Sequence, residues 1–390
     1  NSKIADVRLY SLLQDEQWVN RDKEGLTFAL GKDTSDRAVF ADLTESTMTS
    51  ILIAGQPGSG KSVMINSLLM SLLYSKKPSE LKLIMADPKA VELGRYKDIP
   101  HLVTPIITDT STNPETVVRA LSWAVAEMDK RYKAFEAVGV LNLKEYNRLV
   151  EKEPADPENP DTEILAKKPY MVIVLDEIAD LMMSAGKDAQ QLIIRLLQKG
   201  RAAGMHLILA TQRPSKEVVP GLMKSNIPAT IAFAVRDYTA SGVVLGGKGA
   251  EKLLGKGDML FQTSESPVMR RIQGALVDNK EVNDVVSYIK LKNGLAEYSP
   301  EILATPAQST TRGGVMMGGG EVKRDAIFND VAQFAIDNGS LTTNSIAVNF
   351  DVGNPRAARI MIQLEKAGIV GPKNGTKPRE ILVSSLDEIE

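Results

Sequence analysis

The sequence predicts an α/β protein in which helices cover both faces of a parallel sheet, followed by a small module of helices and a β-hairpin. Three observations carry this. Short apolar runs of strand length alternate with helical patterns through most of the chain. One run leads directly into a glycine-rich loop and then a helix. Near residue 321 the pattern changes to three helices and two short strands.

The expected strands are Ser50–Ala54, Leu81–Ala86, Tyr170–Leu175, His206–Ala210, Thr230–Val235 and Asp258–Gln262. Each is short, apolar on both faces and bounded by Gly, Pro or Asp, as in a parallel sheet buried on both sides. The clearest helix starts near Glu115. Its Val118, Leu121, Val125, Met128, Tyr132 and Phe135 recur every three or four residues and form a packing stripe. Residues 151–168 are rich in Pro and acid and read as an exposed insertion loop. Residues 299–320, with five glycines, read as a flexible linker.

The loop Gly55-Gln56-Pro57-Gly58-Ser59-Gly60-Lys61-Ser62 matches G-x-x-x-x-G-K-[ST] in full, between the strand SILIA and the helical run VMINSLLMSLL. Glycines let backbone N–H groups face phosphate oxygens, and the helix start adds partial positive charge. Residues Gly55 to Val63 are therefore the expected ATP cradle. Lys61 reaches the β- and γ-phosphates, and the Ser62 hydroxyl ligates Mg2+. A second strand, YMVIVL, ends in Asp176-Glu177. Asp176 at a carboxyl strand end faces the ligand crevice and positions Mg2+, while Glu177 polarises the attacking water. HLILA ends in Thr211-Gln212-Arg213-Pro214, where Gln212 is placed to sense the γ-phosphate. Asp87 and Lys89, after LKLIMA, fit either a nucleotide role or a structural ion pair. A strand between the phosphate loop and the Asp-Glu strand, together with Glu177, points to a RecA-like P-loop ATPase, a ring or filament motor.

In the last 70 residues the expected helices are Lys323–Asn338, Thr343–Asn349 and Asn354–Ala367, with Asn354 as N-cap, Pro355 in the first turn and Gly368 as the stop. IVGPKNGTKPREILV then reads as a hairpin, which completes a winged helix-turn-helix of the DNA-binding kind. Between Val352 and Arg379 stand Arg356, Arg359, Lys366, Lys373, Lys377 and Arg379 against Glu365 alone, net +5. Of these, Arg356, Arg359, Lys373, Lys377 and Arg379 are the expected DNA contacts. A winged helix used only for protein contact is the other reading.

Composition narrows the rest. The 390 residues carry 47 Lys+Arg against 49 Asp+Glu, which excludes a uniformly basic coat but not a local basic patch. Cys is absent, which removes disulfides, thiol catalysis and Cys-ligated metals. His101 and His206 lack metal-ligand spacing and read as structural. No run approaches 18 apolar residues, so no membrane contact is expected from this stretch. The start, NSKIADVRLYSLL, reads as a cut from a longer chain. Arg270 and Arg271 fit either a DNA channel lining or an exposed surface.

With these residues in place, the chain resembles the motor region of the FtsK/SpoIIIE family of DNA translocases over nearly its whole length. The segments that carry this are DIPHLVTPIITD, WAVAEMDKRY, VLDEIADLM, RAAGMHLILATQRPS, LMKSNIPATIAF, GAEKLLGKGDMLF and AARIMIQLEKAGIVGPKNGTKPREIL. The resemblance implies residues 1–298 as motor domain (about 1–45 a remnant of a preceding subdomain), 299–320 as linker and 321–390 as winged helix. It implies an ATP-driven homo-hexamer threading double-stranded DNA in chromosome segregation and cell division. It also implies partners among site-specific recombinases or division proteins. This fragment would then be cytoplasmic, with the whole protein anchored in the membrane through an N-terminal region. The rival readings are a related ATPase that translocates protein, and a DNA-tethered nucleotide switch with little turnover. The sequence departs from the family at Gly242, where an arginine acting across a subunit interface is usual; Arg236 and Arg201 are the candidate substitutes. It departs also at Asp351, before the third winged helix, and at Pro57 within the phosphate loop.

Overall fold

The computed structural model describes residues 6–108, 110, 113–152, 166–266, 268–304, 327–350, 352–371 and 378–383; at 303, 304, 354, 355, 358, 359, 362 and 366 it describes the backbone alone. The chain divides into two compact units, 1–311 and 312–390.

The first unit is built on one nine-stranded sheet. In chain order its strands are β1 (Thr27–Asp33), β2 (Ala38–Asp42), β3 (Ser50–Ala54), β4 (Leu81–Ala86), β5 (Tyr170–Leu175), β6 (Met205–Thr211), β7 (Ala229–Phe233), β8 (Asp258–Thr263) and β9 (Arg270–Gly274). Across the sheet the order is β2-β1-β9-β8-β7-β3-β6-β5-β4. The five strands from β7 to β4 are parallel, and their apolar runs are buried on both faces. Alternation sorts the side chains of β3. Ile51 and Ile53 pack with Met64, Leu68 and Leu72 of the helix Lys61–Ser75. Leu52 and Ala54 face the opposite core, with Leu121 and Met128 of Pro114–Val138 and Leu196 of Gly186–Lys199.

The sheet is mixed where the sequence pattern predicts a parallel one. β8 runs antiparallel to β7, with Met259 opposite Phe233. Everything between the two strands stays at the carboxyl end of the sheet, so the chain re-enters at the end it left. β9, β1 and β2 continue antiparallel from there. The first 45 residues, expected as a remnant of another subdomain, thus supply two strands of this same sheet. β9 escapes the sequence pattern because it begins with two exposed arginines, and β1 because a bulge between Ala29 and Gly31 breaks its period.

Two further corrections concern the segments read as loops. The helix Leu143–Lys152 includes the first two residues of the expected insertion, and 153–165 lie outside the described residues. The helix Pro300–Ala304 occupies the start of the expected linker, with Ile302 wholly buried in the second core; 305–326 lie outside the described residues. Among the described residues no helix is long and apolar enough to cross a membrane, and no group of three or more His, Cys, Asp or Glu is placed to hold a metal ion.

Both histidines are core groups. A nitrogen of each ring faces a backbone carbonyl, Lys76 for His101 (3.1 Å) and Thr49 for His206 (3.0 Å). Burial pushes each ring down to about 4 from its ordinary 6.5. The unfolded chain therefore binds protons below pH 6.5 that the folded chain refuses. This part of the stability is complete above that value and declines as pH falls from 6.5 toward 4, by about 2 kcal/mol for each ring at pH 5. Urea unfolding at pH 7.5 and pH 5 should show this loss; a constant midpoint would contradict it.

The second unit has its own core of Phe328, Val331, Leu341, Ile346, Ile360 and Leu364. Its helices are Phe328–Asn338, Thr343–Asn349 and Asn354–Lys366, with Thr342 and Ser345 forming a reciprocal cap at the second. Gly353, not Asn354, is the N-cap of the third, which places Pro355 within its first turn. Gly368 closes that helix in the left-handed region. The expected hairpin forms through Gly371 N–H to Glu380 C=O (2.8 Å) and Leu382 N–H to Ile369 C=O (2.9 Å). It gains a third strand, because β10 (Ser340–Leu341) pairs with β11 (Arg379–Glu380).

Candidate nucleotide site

Ligand crevices of α/β sheets open at carboxyl strand ends, and here β3, β5 and β6 deliver the loop at 55, the acids at 176 and the turn at 211 to one end. β6 lies between β3 and β5, so the spacer strand is not the intervening one in sequence, which is β4 at the sheet edge.

The loop is fixed by its neighbours. Gly55 N–H donates to Thr211 C=O (3.2 Å), Gln56 N–H to Ala234 C=O (2.9 Å) and Gly257 N–H to Ser59 C=O (2.8 Å). At Gly60, φ is +119° and an added Cβ would lie 2.7 Å from Gly257 N, so two demands exclude any side chain. Beyond the loop opens a cavity of about 510 Å3, a size ordinary for small-molecule sites. Residues 56–58 and 60–63 line it, as does Gln212. Gly55 and Ser59 do not; Ser59 Oγ is buried beneath the loop, 2.5 Å from where a Cβ on Gly55 would stand. The far wall, from Asp6, Lys256, Gln273 and Asn279, carries no signal in the sequence, because it is assembled from segments distant in the chain.

Lys61 begins its helix only 3% exposed, and its Nζ is paired with Asp176 Oδ1. Burial raises the Asp176 carboxyl, and the Lys61 ammonium opposes that rise. The two groups thus offset each other's charge in this buried place. Ser62 and Asp176 together offer the oxygen donors that Mg2+ takes.

Glu177 is the N-cap residue of the helix Ile178–Ser184 and sits at φ +60°, ψ 64°. That left-handed conformation is uncommon for a long side chain and directs the carboxylate, 6% exposed, toward the end of β6. There it accepts hydrogen bonds from Thr211 Oγ1 (2.8 Å) and Gln212 N–H (3.0 Å). Glu177 and Asp176 both stand outside the cavity lining, behind Lys61 and Gln212. Gln212 on the cavity wall and the buried carboxylate that two donors hold behind it are the groups at this end able to act on water.

Asp87 does not ion-pair with Lys89. Its carboxylate accepts three backbone N–H bonds, from Lys89, Glu92 and Leu93, which makes it the anchor of the turn after β4. Arg271 is held bidentate by the buried Asp258 (2.9 and 2.8 Å), and Arg270 lies 3.9 Å from Asp33. Arg236 is exposed on a second cavity shared with Gln56 and Gln212, whereas Arg201 lies at the amino end of β6. Open space surrounds the Cβ position of Gly242, and Lys224 Nζ approaches its carbonyl (3.3 Å).

In the second unit, Arg379 is turned inward rather than toward a ligand. It donates to Gly371 C=O (2.7 Å) and pairs with Glu365 (3.2 Å), leaving 12% of the side chain exposed. Arg356 is half-buried in the first turn of its helix. The side chain of Arg359, and Asp351, Lys373 and Lys377 altogether, lie outside the described residues.

Comparison with known proteins agrees with this division. Residues 8–216 match the FtsK/SpoIIIE family, and residues 322–384 match the Ftsk gamma domain. The chain is 43% identical over 387 residues to the DNA translocase FtsK of Clostridium acetobutylicum, covering 99% of this chain and 48% of that protein. With the DNA translocase FtsK of Bacillus cereus it shares 40% over 388 residues, 100% of this chain and 46% of that one. It spans about half the length of these curated relatives. Among solved structures, the pCW3 conjugation coupling protein TcpA, in its monomer form with ATPγS, superposes with a TM-score of 0.57 at 25% identity, over 74% of this chain and 75% of that one. The cytoplasmic domain of the Thermomonospora curvata type VII secretion ATPase EccC gives 0.61 at 24%, over 73% and 34%, a likeness of fold.

Proposed function

As the chain belongs to the FtsK/SpoIIIE family, we propose that it is the ATP-hydrolysing, DNA-translocating part of a double-stranded DNA motor acting in chromosome segregation and cell division. The observation that carries this reading is the meeting of Lys61, Asp176, Glu177 and Gln212 at one strand end beside a phosphate loop. The gamma-domain match of residues 322–384 supports a separate module on the same chain, which in this reading is directed to DNA.

In this reading the N–H groups of 56–62 and the Lys61 ammonium bind the β- and γ-phosphates. Ser62 and Asp176 would hold Mg2+, which would supply charge neutralisation for the phosphates. Glu177 accepts a proton from the water that attacks the γ-phosphorus. The bond to the bridging oxygen breaks, leaving ADP and inorganic phosphate. Gln212, on the cavity wall, orients that water or the γ-phosphate. Lys61 leaves its partner Asp176 for the phosphates when the nucleotide enters. In this reading the motor works as a homo-hexamer on duplex DNA, and a neighbouring subunit supplies an arginine, for which Arg236 and Arg201 are the candidates. Recombinase or division-protein partners, and membrane anchorage of the whole protein, complete the family reading. Arg356 and the hairpin side of the second unit are the expected DNA contacts; Arg379 supports the wing from within.

The test is steady-state phosphate release with and without duplex DNA. Stimulation of about tenfold or more is expected, since hydrolysis is coupled to a DNA track. Turnover unchanged by DNA would favour the protein-moving relatives, and no turnover at all would leave a tethered switch.

A further inference from the structure

The acids and the lysine of the site were legible in the sequence, but Thr211 was not. It is the last residue of β6 and wholly buried, and both its hydroxyl and its carbonyl are engaged. Its hydroxyl donates to Glu177 Oε1 (2.8 Å) and accepts from Arg213 N–H (3.0 Å). Its carbonyl accepts from Gly55 N–H (3.2 Å), the first N–H of the phosphate loop, and its backbone is in register with Ala54. The next N–H, of Gln212, holds the other Glu177 oxygen (3.0 Å).

Packing alone does not call for a threonine here. Valine has the same shape, the same preference for a strand and no hydroxyl to satisfy at a wholly buried position. What valine lacks is the proton donated to Glu177 and the oxygen that accepts from Arg213 N–H. A charge-assisted bond of this kind is short and directional, and it acts on a side chain whose backbone is already held in a strained left-handed turn.

We infer that Thr211 is a positioning residue of the hydrolytic site: its hydroxyl aims the Glu177 carboxylate, and its carbonyl ties that aim to the phosphate loop. Without the hydroxyl, Glu177 retains the single bond from Gln212 N–H and can swing about it. Its lone pair then points away from the attacking water for much of the time, while the loop, Lys61 and the cavity that bind nucleotide are unchanged. The inference rests on the hydrolytic reading above, in which Glu177 is the base.

The experiment compares the full chain with T211V, T211S, E177Q and T211V/E177Q in DNA-stimulated ATP hydrolysis, together with binding of a fluorescent ATP analogue. T211V is expected to lower kcat about tenfold to a hundredfold with KM within about twofold. T211S, which keeps the hydroxyl, should stay within about threefold of the unsubstituted chain. In the E177Q background the valine should cost less than about twofold more, because the group it aims is already gone. Full activity in T211V, increased activity in T211V, equal losses in T211V and T211S, or losses that multiply in the double variant would each overturn the role of Thr211. If T211V is recovered unfolded, T211A carries the same expectations. Failure of the underlying reading looks different: either no turnover by the unsubstituted chain, or E177Q hydrolysing at its full rate.

Discussion

Glu177→Gln is expected to lower kcat by roughly 10²- to 10⁴-fold while nucleotide still binds, the range of a general base removed from its site. The amide has the shape of the carboxylate but cannot take a proton at neutral pH. It also clashes electrically with its surroundings. The carboxylate accepts one bond from Thr211 and one from Gln212 N–H. An amide has one accepting oxygen, for Gln212 N–H, so the Thr211 hydroxyl must turn to accept from the NH2 group and its own proton loses its partner in a buried place. With Glu177 only 6% exposed, water has little room to restore that bond. Single-turnover phosphate release measured beside equilibrium binding separates the two effects. Release at the normal rate would remove Glu177 from the chemistry.

The second large effect is expected at Lys61. Lys61→Met keeps the aliphatic stem and deletes the ammonium, and hydrolysis should fall by at least about 10²-fold, as when one preorganised charge at the reacting phosphate is lost. It should also destabilise the fold by about 3–5 kcal/mol, since Asp176 remains buried without its partner. These two losses can be told apart. Lys61→Met combined with Asp176→Asn removes both charges, so most of the stability should return while hydrolysis stays absent. Duplex DNA binding by the second unit, which has its own core, should survive in both variants. Urea unfolding, phosphate release and DNA binding on the same preparations check the three outcomes. Recovery of activity in the double variant, or loss of DNA binding together with hydrolysis, would contradict this division of labour.

Much of the site was legible because its parts are local. A phosphate loop needs its glycines, lysine and serine at fixed spacing, and the two acids must directly follow an apolar strand. Ser50–Ala54, Leu81–Ala86 and Tyr170–Leu175 appear at their expected bounds because a strand buried on both faces is an uninterrupted apolar run. Where a strand has a solvent face or a bulge, as in β9 and β1, the run dissolves into a pattern shared with loops. Arg131 shows the converse. It lies in the stripe of the helix Pro114–Val138 and is 2% exposed, because Pro169 and Ala203 carbonyls, distant in sequence, accept its guanidinium (both 2.8 Å).

By itself, then, the sequence determined the α/β class, the phosphate loop, the two adjacent acids Asp176 and Glu177 at a strand end, and a separate winged module. Only the tertiary structure decided that the sheet is mixed, that residues near the amino terminus extend it, and that Arg379 serves the wing. It also decided that Lys61 rests on Asp176 and that the Thr211 hydroxyl donates to Glu177. The physical reason is range. Spacing along a chain encodes loop turns and face periodicity, whereas strand direction, buried ion pairs and hydrogen bonds between strand ends depend on which distant segments meet.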